Sequence, residues 1–486
     1  MRKLLALVLA ALLMGAHAIT PMAEGSGVAA TTTVIVTTAA DSGPGSLRQA
    51  VADTASGDLI TFSPNLNGQT ISLNNSLTIT KNLTITGPGA SQLALSGVNV
   101  VGVLAIRGGA EVTISGLTIR DGQRGIDNQG GALTVISSTI SGNMGGAPWD
   151  GAGIYNKDGS LTLMTSMVSD NSVFNASGGG IANINGTITI SESIVSNNTA
   201  LFGGGSGLVN FSGSVVITNS TISGNTGHGH GLRNDGTLWL TNSTVSGNTG
   251  GGGVLNFGGI LTITSSTIIS NTATDNDGGG LHNSGVLTLI NSTVSGNASV
   301  LSGGGIHNQG ALDLNSVTLT RNTADWDGNG VGDGGGFSNF GVVNFKNTIV
   351  AGNTDNSATT KQPDLNCSGS VNSQGYNLIG NTTGCAFPPA LGDQGGTAGS
   401  PLDPMLGLLQ NNGGPTLTHA LLAGSPAIEA GNPASPGSGG NACEGADQRG
   451  VARPIDGNND SVAVCDIGAF EFVVFTNTIF LPIVMR

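Results

Sequence analysis

The sequence predicts an all-β solenoid, a right-handed single-stranded parallel β-helix. Three observations point to it. The first is a double column of asparagines. Asn128, Asn156, Asn183, Asn210, Asn234, Asn256, Asn283, Asn308 and Asn339 form one column, and Asn143, Asn171, Asn198, Asn225, Asn248, Asn271, Asn297, Asn322 and Asn353 form the other. Each second Asn follows its first by 14 or 15 residues, whereas the gap to the next pair varies from 8 to 17. A unit with a fixed part and one variable loop is the mark of a stacked-repeat architecture. The second observation is an apolar code within the fixed part. Two residues before the first Asn stand Ile126, Ile154, Ile181, Leu208, Leu232, Val254, Leu281, Ile306 and Phe337. Apolar pairs one residue apart follow, such as Leu161/Leu163 and Leu287/Leu289, then a further apolar residue such as Val168 or Val294. Polar residues separate the pairs, which is the period of a half-buried strand. The third is composition. Gly supplies 82 of 486 residues and charged residues only 9%. That excludes a coiled coil, and the wealth of Val, Ile and Thr argues against disorder.

The elements follow in chain order. Arg2 and Lys3, the apolar run Leu4 to Met14 and the small residues Ala16-His17-Ala18 read as a secretory leader over residues 1–18. The run is shorter than a membrane span needs, so no transmembrane segment is expected after cleavage. Residues 19–58 are expected to hold a strand and a capping helix. Ser46 and Gln49 have capping-box spacing, and Leu47 and Val51 share one helical face. The solenoid proper is expected over residues 59–353, with nine regular coils from about 126. Its earlier strands are less regular, at Thr70–Leu73, Leu77–Thr80, Leu83–Thr86, Val103–Ile106 and Val112–Ile119. Gly and Asn mark the corners because they tolerate positive φ. One such coil cannot bury a face alone, but stacked coils place like residues about 4.8 Å apart. The asparagine columns therefore read as structural ladders, stacked amides bonding along the axis. Residues 354–401 read as a loop-rich linker. Residues 402–472 read as a distinct region positioned to cap the last coil, and residues 473–486 as an apolar tail.

Charge and cysteine content narrow the partners. The chain carries a net charge of −14, and loss of Arg2 and Lys3 leaves 13 basic residues against 29 acidic ones, or −16. This argues against nucleic acid and anionic lipid. Cys367, Cys385, Cys443 and Cys465 form two locally spaced pairs, which in an exported protein read as two disulfides.

Some segments carry a family resemblance. Asp41-Ser42-Gly43-Pro44-Gly45-Ser46-Leu47-Arg48-Gln49-Ala50, the Gly-Gly-Gly-Ile coils, Gln410-Asn411-Asn412-Gly413-Gly414-Pro415-Thr416, Gly424-Ser425-Pro426-Ala427-Ile428 and Asp466-Ile467-Gly468-Ala469-Phe470-Glu471 are the relevant stretches. Together they resemble secreted bacterial β-helix proteins of the choice-of-anchor Q type, and the coils resemble polymorphic outer membrane protein repeats. The resemblance implies a secreted or cell-surface protein and supplies no catalytic residues to carry over.

The same scaffold also hosts polysaccharide-cleaving enzymes, so an enzyme is the rival reading. Glycoside hydrolysis needs two carboxylates a few ångströms apart. Asp170, Glu192, Asp235 and Asp313 stand at +14, +9, +1 and +5 from the first Asn of their coils, so no two share a register. Gly227-His228-Gly229-His230-Gly231 resembles the Gly-His-Gly of polygalacturonases, but it occupies a glycine corner and the preceding coil offers Asn210 rather than an acid. The expected function is therefore a non-enzymatic surface structural or adhesive module. Its partner would be a surface polysaccharide or another cell-envelope component. Asp325, Asp327, Asn329 and Asp333 match the opening of a calcium loop, with Gly336 where the closing Glu would stand. They are the candidate Ca2+ ligands, and Asp456-Gly457-Asn458-Asn459-Asp460 is a second, weaker acidic loop. Trp239, Trp326, His228 and His230 are the candidate ligand contacts, with Trp239 expected to point outward and Trp149 to lie in a variable loop.

Overall fold

The structure, a computed structural model, describes residues 32–145, 151–202, 204–357 and 366–474. The expected leader, Trp149 and most of the apolar tail lie outside the described residues. Among those described, no helix is long and apolar enough to cross a membrane.

The chain winds into about 13 right-handed turns. One coil shows how the code is used. Ile126–Gln129 forms a strand of sheet 1, Ala132–Ile136 a strand of sheet 2 and Thr139–Ser141 a strand of sheet 3. A two-residue strand, Met144–Gly145, precedes the variable loop. Sheets 1, 2 and 3 contain 13, 14 and 14 strands. Their pairing is parallel and in register across coils: Ile126 lies on Ile154, Leu133 on Leu161 and Ile140 on Val168. The alternate residues point in, and they form one continuous core from Val36 to Ile379. Each coil turns twice through positive φ, for example at Asn219 (48°) and Gly224 (62°).

Both asparagine columns are buried ladders. Asn128 Nδ2 donates to Asn156 Oδ1 (2.7 Å), and the pattern repeats coil by coil to Asn308 and Asn339 (2.7 Å). In the second column the backbone N–H and the side-chain amide of each Asn both donate to the next Oδ1, as from Asn198 to Asn225 (3.0 Å each). In the nine regular coils a glycine precedes the apolar inward residue of sheet 1, because a Cβ there would strike this ladder. At Gly280 it would lie 2.6 Å from Gly305 O and 3.0 Å from Asn297 Nδ2. Below Asn128 the register holds Ile106, not Asn, and Asn128 Oδ1 is left without a donor. The ladder begins where the repeat begins. A third column, not read from the sequence, is formed by serines: Ser138, Ser166, Ser193, Ser220, Ser243 and Ser266 each donate a backbone N–H to the next Ser Oγ.

The helix forms at Leu47–Asp53, with Ser46 Oγ accepting from Gln49 N and with Leu47, Ala50 and Val51 buried. Arg48 donates to the Ser76 and Asn75 carbonyls, and Lys81 to those of Ala52 and Thr54, so the helix is pinned over the first coils. The expected single strand Val112–Ile119 is two, Glu111–Ser115 and Thr118–Arg120, because Gly116 turns the chain at φ 62°.

The C-terminal third departs further from expectation. The solenoid does not end at residue 353. Cys367–Ser370 adds to sheet 1, Asn372–Ser373 to sheet 2 and Leu378–Ile379 to sheet 3. Asn366 supplies the next ladder rung, its Oδ1 3.0 Å from Asn353 Nδ2, despite standing only 13 residues on. The region from 402 onward does not cap the last coil either. It folds back along the outer face of sheet 3. Thr267 Oγ1 donates to Leu417 O (2.7 Å), Thr293 Oγ1 to Gln448 Oε1 (2.6 Å), and Ala469 N to Thr318 Oγ1 (3.0 Å). A small second core joins Ile349 and Leu378 to Leu421, Ala427, Ile467 and Phe470. Disulfides join Cys367 to Cys385 and Cys443 to Cys465.

Candidate functional site

In each strand of sheet 1 the residue two before the Asn and the Asn itself point inward. The residues between and after them therefore face out. Some coils place aliphatic side chains between them, as with Ala182, Val209 and Leu255. Several coils place rings and guanidinium groups instead. Arg124 lies 4.3 Å over the Tyr155 ring. Arg233 lies between Phe211 and Phe257, its Cζ 5.6 and 5.0 Å from their centroids. Its charge is met by Asp235 through two hydrogen bonds of 2.8 and 2.7 Å. Gly204 makes room for it, since a Cβ there would stand 2.2 Å from Arg233 Nη1.

Further along the axis the file continues in imidazoles. His230, His282, His307 and Phe340 follow one another with ring centroids 6.3, 4.9 and 5.5 Å apart. Gly251 accommodates His230, because a Cβ would lie 2.5 Å from its Nδ1. Burial pushes the His230 imidazole down to about 3, with His282 and Arg233 adding to the effect. Burial also lowers His282 and His307, against the opposing pull of Asp277. All three rings are therefore neutral at pH 7. Phe340, by contrast, is 73% exposed.

The variable loops raise a wall beside this face. Phe174 and Phe202 meet edge to face at 5.4 Å, and Phe202 stacks on His228 at 5.8 Å. His228 Nδ1 is 2.7 Å from Asp275 Oδ2. A cavity of about 280 Å³ opens here, lined by Leu201, Phe202, Gly227, His228, Thr274 and Asp275. Rings are scarce in this chain, which has 13 Phe, 3 Trp and 2 Tyr, so their gathering on one face and its rim distinguishes it from the other two.

The candidate contacts separate on this map. His228 is exposed and lines the cavity, while His230 is 4% exposed and packs beneath the face. Trp326 is exposed in the longest variable loop. Trp239 points outward as expected, but from sheet 2, a different face. Phe174, Phe202, Phe257 and Phe340 were not singled out from the sequence. The +1 position after the first Asn was the available signal for two of them.

The Asp325 loop does not form a converging donor set. Asp325 accepts backbone N–H groups from Asn329 (2.9 Å) and Gly330 (3.0 Å), and Asp327 accepts from the Asn329 amide (2.9 Å). These carboxylates are engaged in closing their own turn, and Asp333 instead lies near Asp355, which with burial raises its pKa. Among the described residues, the group of three or more His, Cys, Asp or Glu whose ligand atoms all meet within 4.8 Å is Glu429, Asp456 and Asp460, two of them in the weaker loop. Elsewhere, His419 Nδ1 donates to Gly407 O (2.8 Å) and its Nε2 accepts from Ser295 Oγ (2.9 Å). Both residues are buried under the C-terminal region, so this Ser–His contact serves docking.

A family model described as right handed beta helix region matches residues 185–355. No curated protein sequence matches the chain. Among solved structures, the chain is similar to the pectate lyase Pel9A, at 15% identity and a TM-score of 0.39 over 91% of this chain and 98% of that one. It is also similar to a mannuronic acid specific polysaccharide family 6 lyase from human gut microbiota. There the identity is 11% and the TM-score 0.31, over 74% of this chain and 91% of that one.

Proposed function

We propose that this protein is an exported β-helix scaffold that holds a polysaccharide along the outer face of sheet 1 without cleaving it, as a structural or adhesive module at the cell surface. One observation carries the reading: the file of rings from Tyr155 to Phe340, flanked by the Phe174–Phe202–His228 wall. Aromatic rings bury large, rigid area against a ligand at little entropic cost. Arg233 is neutralised by Asp235 and the buried histidines are uncharged, which suits a neutral glycan better than an acidic one. Two disulfides and the leader sequence support export. The resemblance to choice-of-anchor proteins is in keeping with a surface location.

The test is affinity electrophoresis of the mature chain in gels containing neutral or acidic polysaccharides, together with assays for new reducing ends and unsaturated products. Retardation without product is the expected outcome, and Phe257→Ala or Phe340→Ala weakens it several-fold. Failure to bind any glycan removes the proposal. The rival reading, a lyase or hydrolase on the same scaffold, is favoured by the solvent-facing His228–Asp275 pair, whose geometry suits a general base. Product formation abolished by His228→Ala would establish it.

A further inference from the structure

We propose that His282, His307 and Asp277 form a binding site for a divalent transition-metal ion, zinc being the natural occupant. This does not rest on the glycan reading. His282 and His307 are register partners on adjacent parallel strands, and both project from the outer face. Their ring centroids are 4.9 Å apart at an interplanar angle of 62°. Two imidazoles sharing one tetrahedral ion at Zn–N distances of about 2.0–2.1 Å place their centroids about 5 Å apart. His307 is 3% exposed, and its Nδ1 has no hydrogen-bond partner. That nitrogen lies 3.8 Å from Asp277 Oδ1, too far for a hydrogen bond and near the separation of two ligands on one ion. A buried polar atom left in this way calls for an explanation, and an ion supplies one.

The surroundings favour the site. His307 Nε2 is 3.1 Å from the Gln309 side-chain amide nitrogen. Turning that amide over presents its oxygen to Nε2–H, the outer hydrogen bond that orients a ligating histidine. Asp277 is held by Ser302 N through Oδ1 (2.8 Å), which fixes its carboxylate toward the rings. The His282 ring faces the Asp277 backbone, and its nitrogens stand more than 4.8 Å from one or both of the other two donors. Swinging it from there toward His307 Nδ1 completes the set. Imidazole and carboxylate donors select zinc, copper or nickel over calcium.

The test uses the mature chain without a histidine tag, stripped with chelator and titrated with zinc by calorimetry at pH 7.5. One ion per chain is expected, with affinity falling about tenfold or more in His282→Gln and His307→Gln. Asp313→Asn, whose carboxylate lies on sheet 2 away from the set, leaves it unchanged. Absence of a zinc isotherm overturns the proposal, as does an isotherm indifferent to both substitutions. If the variants fail to fold, copper loaded into the parent protein decides. Its paramagnetic resonance spectrum is expected to show coupling to imidazole nitrogen, and a spectrum without such coupling overturns the site.

Discussion

Replacing Asn225 with Ala tests the ladder at its centre. Asn225 Oδ1 accepts both the backbone N–H and the amide of Asn198 (3.0 Å each). Its Nδ2 donates to Val195 O (3.1 Å) and Asn248 Oδ1 (2.9 Å). The Asn198 amide keeps Val168 O as an acceptor (3.0 Å), but the Asn198 backbone N–H loses its partner, while Val195 O, still paired in the sheet 3 ladder, and Asn248 Oδ1 each lose one donor. Every group involved is sealed from solvent. Leaving a buried group unsatisfied costs about 1–3 kcal/mol, and the stranded Asn198 N–H sets the cost of this substitution at roughly that figure. A solenoid transmits such damage mainly to its neighbours. The assay is therefore hydrogen exchange read coil by coil, alongside urea denaturation. Faster exchange is expected in the coils of Asn198 and Asn248, with the helix-capped end unaffected. A cost below about 0.5 kcal/mol, or loosening spread evenly over the chain, refutes the reasoning, since surface substitutions alone stay within that range. Adding Asn198→Ala should cost less than it does singly, because the two share bonds.

Three further outcomes follow from the same geometry. Leu238→Ala opens the core and should cost about 2–5 kcal/mol in urea denaturation, whereas Trp239→Ala, 38% exposed on the outer face, should cost far less; equal costs would contradict the inward-outward alternation. Burial, and then Glu471, hold Asp466 up at about 7, against 3.8 for a free aspartate. The folded C-terminal region thus binds the extra proton, its fold is firmest below about pH 4, and it weakens as pH rises through 7. Limited proteolysis should cut residues 402–472 faster at pH 8 than at pH 5, and Asp466→Asn should flatten that difference. Asp325→Ala should expose the Asn329 and Gly330 amides to exchange whether or not millimolar calcium is present; protection of those amides by calcium in the parent chain would restore the metal reading of that loop.

What could be read from the sequence was set by local repetition. The asparagine columns gave the register directly, because Asn183 on Asn210 and Leu238 on Leu261 need only the count between like residues. The helix was legible from Ser46 and Gln49 because a cap is made within one turn. Reading failed where partners lie far apart in the chain. Thr267, Thr293 and Thr318 look like any outward residues of sheet 3. Nothing beside them shows that Leu417, Gln448 and Ala469, about 150 residues on, will cover them. Continuation past Asn353 was hidden because Cys367 takes the place of Phe337 and the coil shortens, which breaks the count without breaking the stack. The ring file was hidden for a related reason. Phe202, Arg233 and Phe257 stand in different columns, and only the loop path brings Phe202 beside His228.

The backward fold of the C-terminal region has a mechanical consequence. It is laced across successive turns from Ser265 to Asn347, by contacts such as Thr416 Oγ1 to Ser265 O and Gly468 N to Asn347 O. Tension entering near residue 474 loads these attachments in shear, all together, before any turn beneath can uncoil. Tension entering at residue 32 meets no such strap and peels the winding one loop at a time. The molecule is thus built to bear load from its C-terminal side.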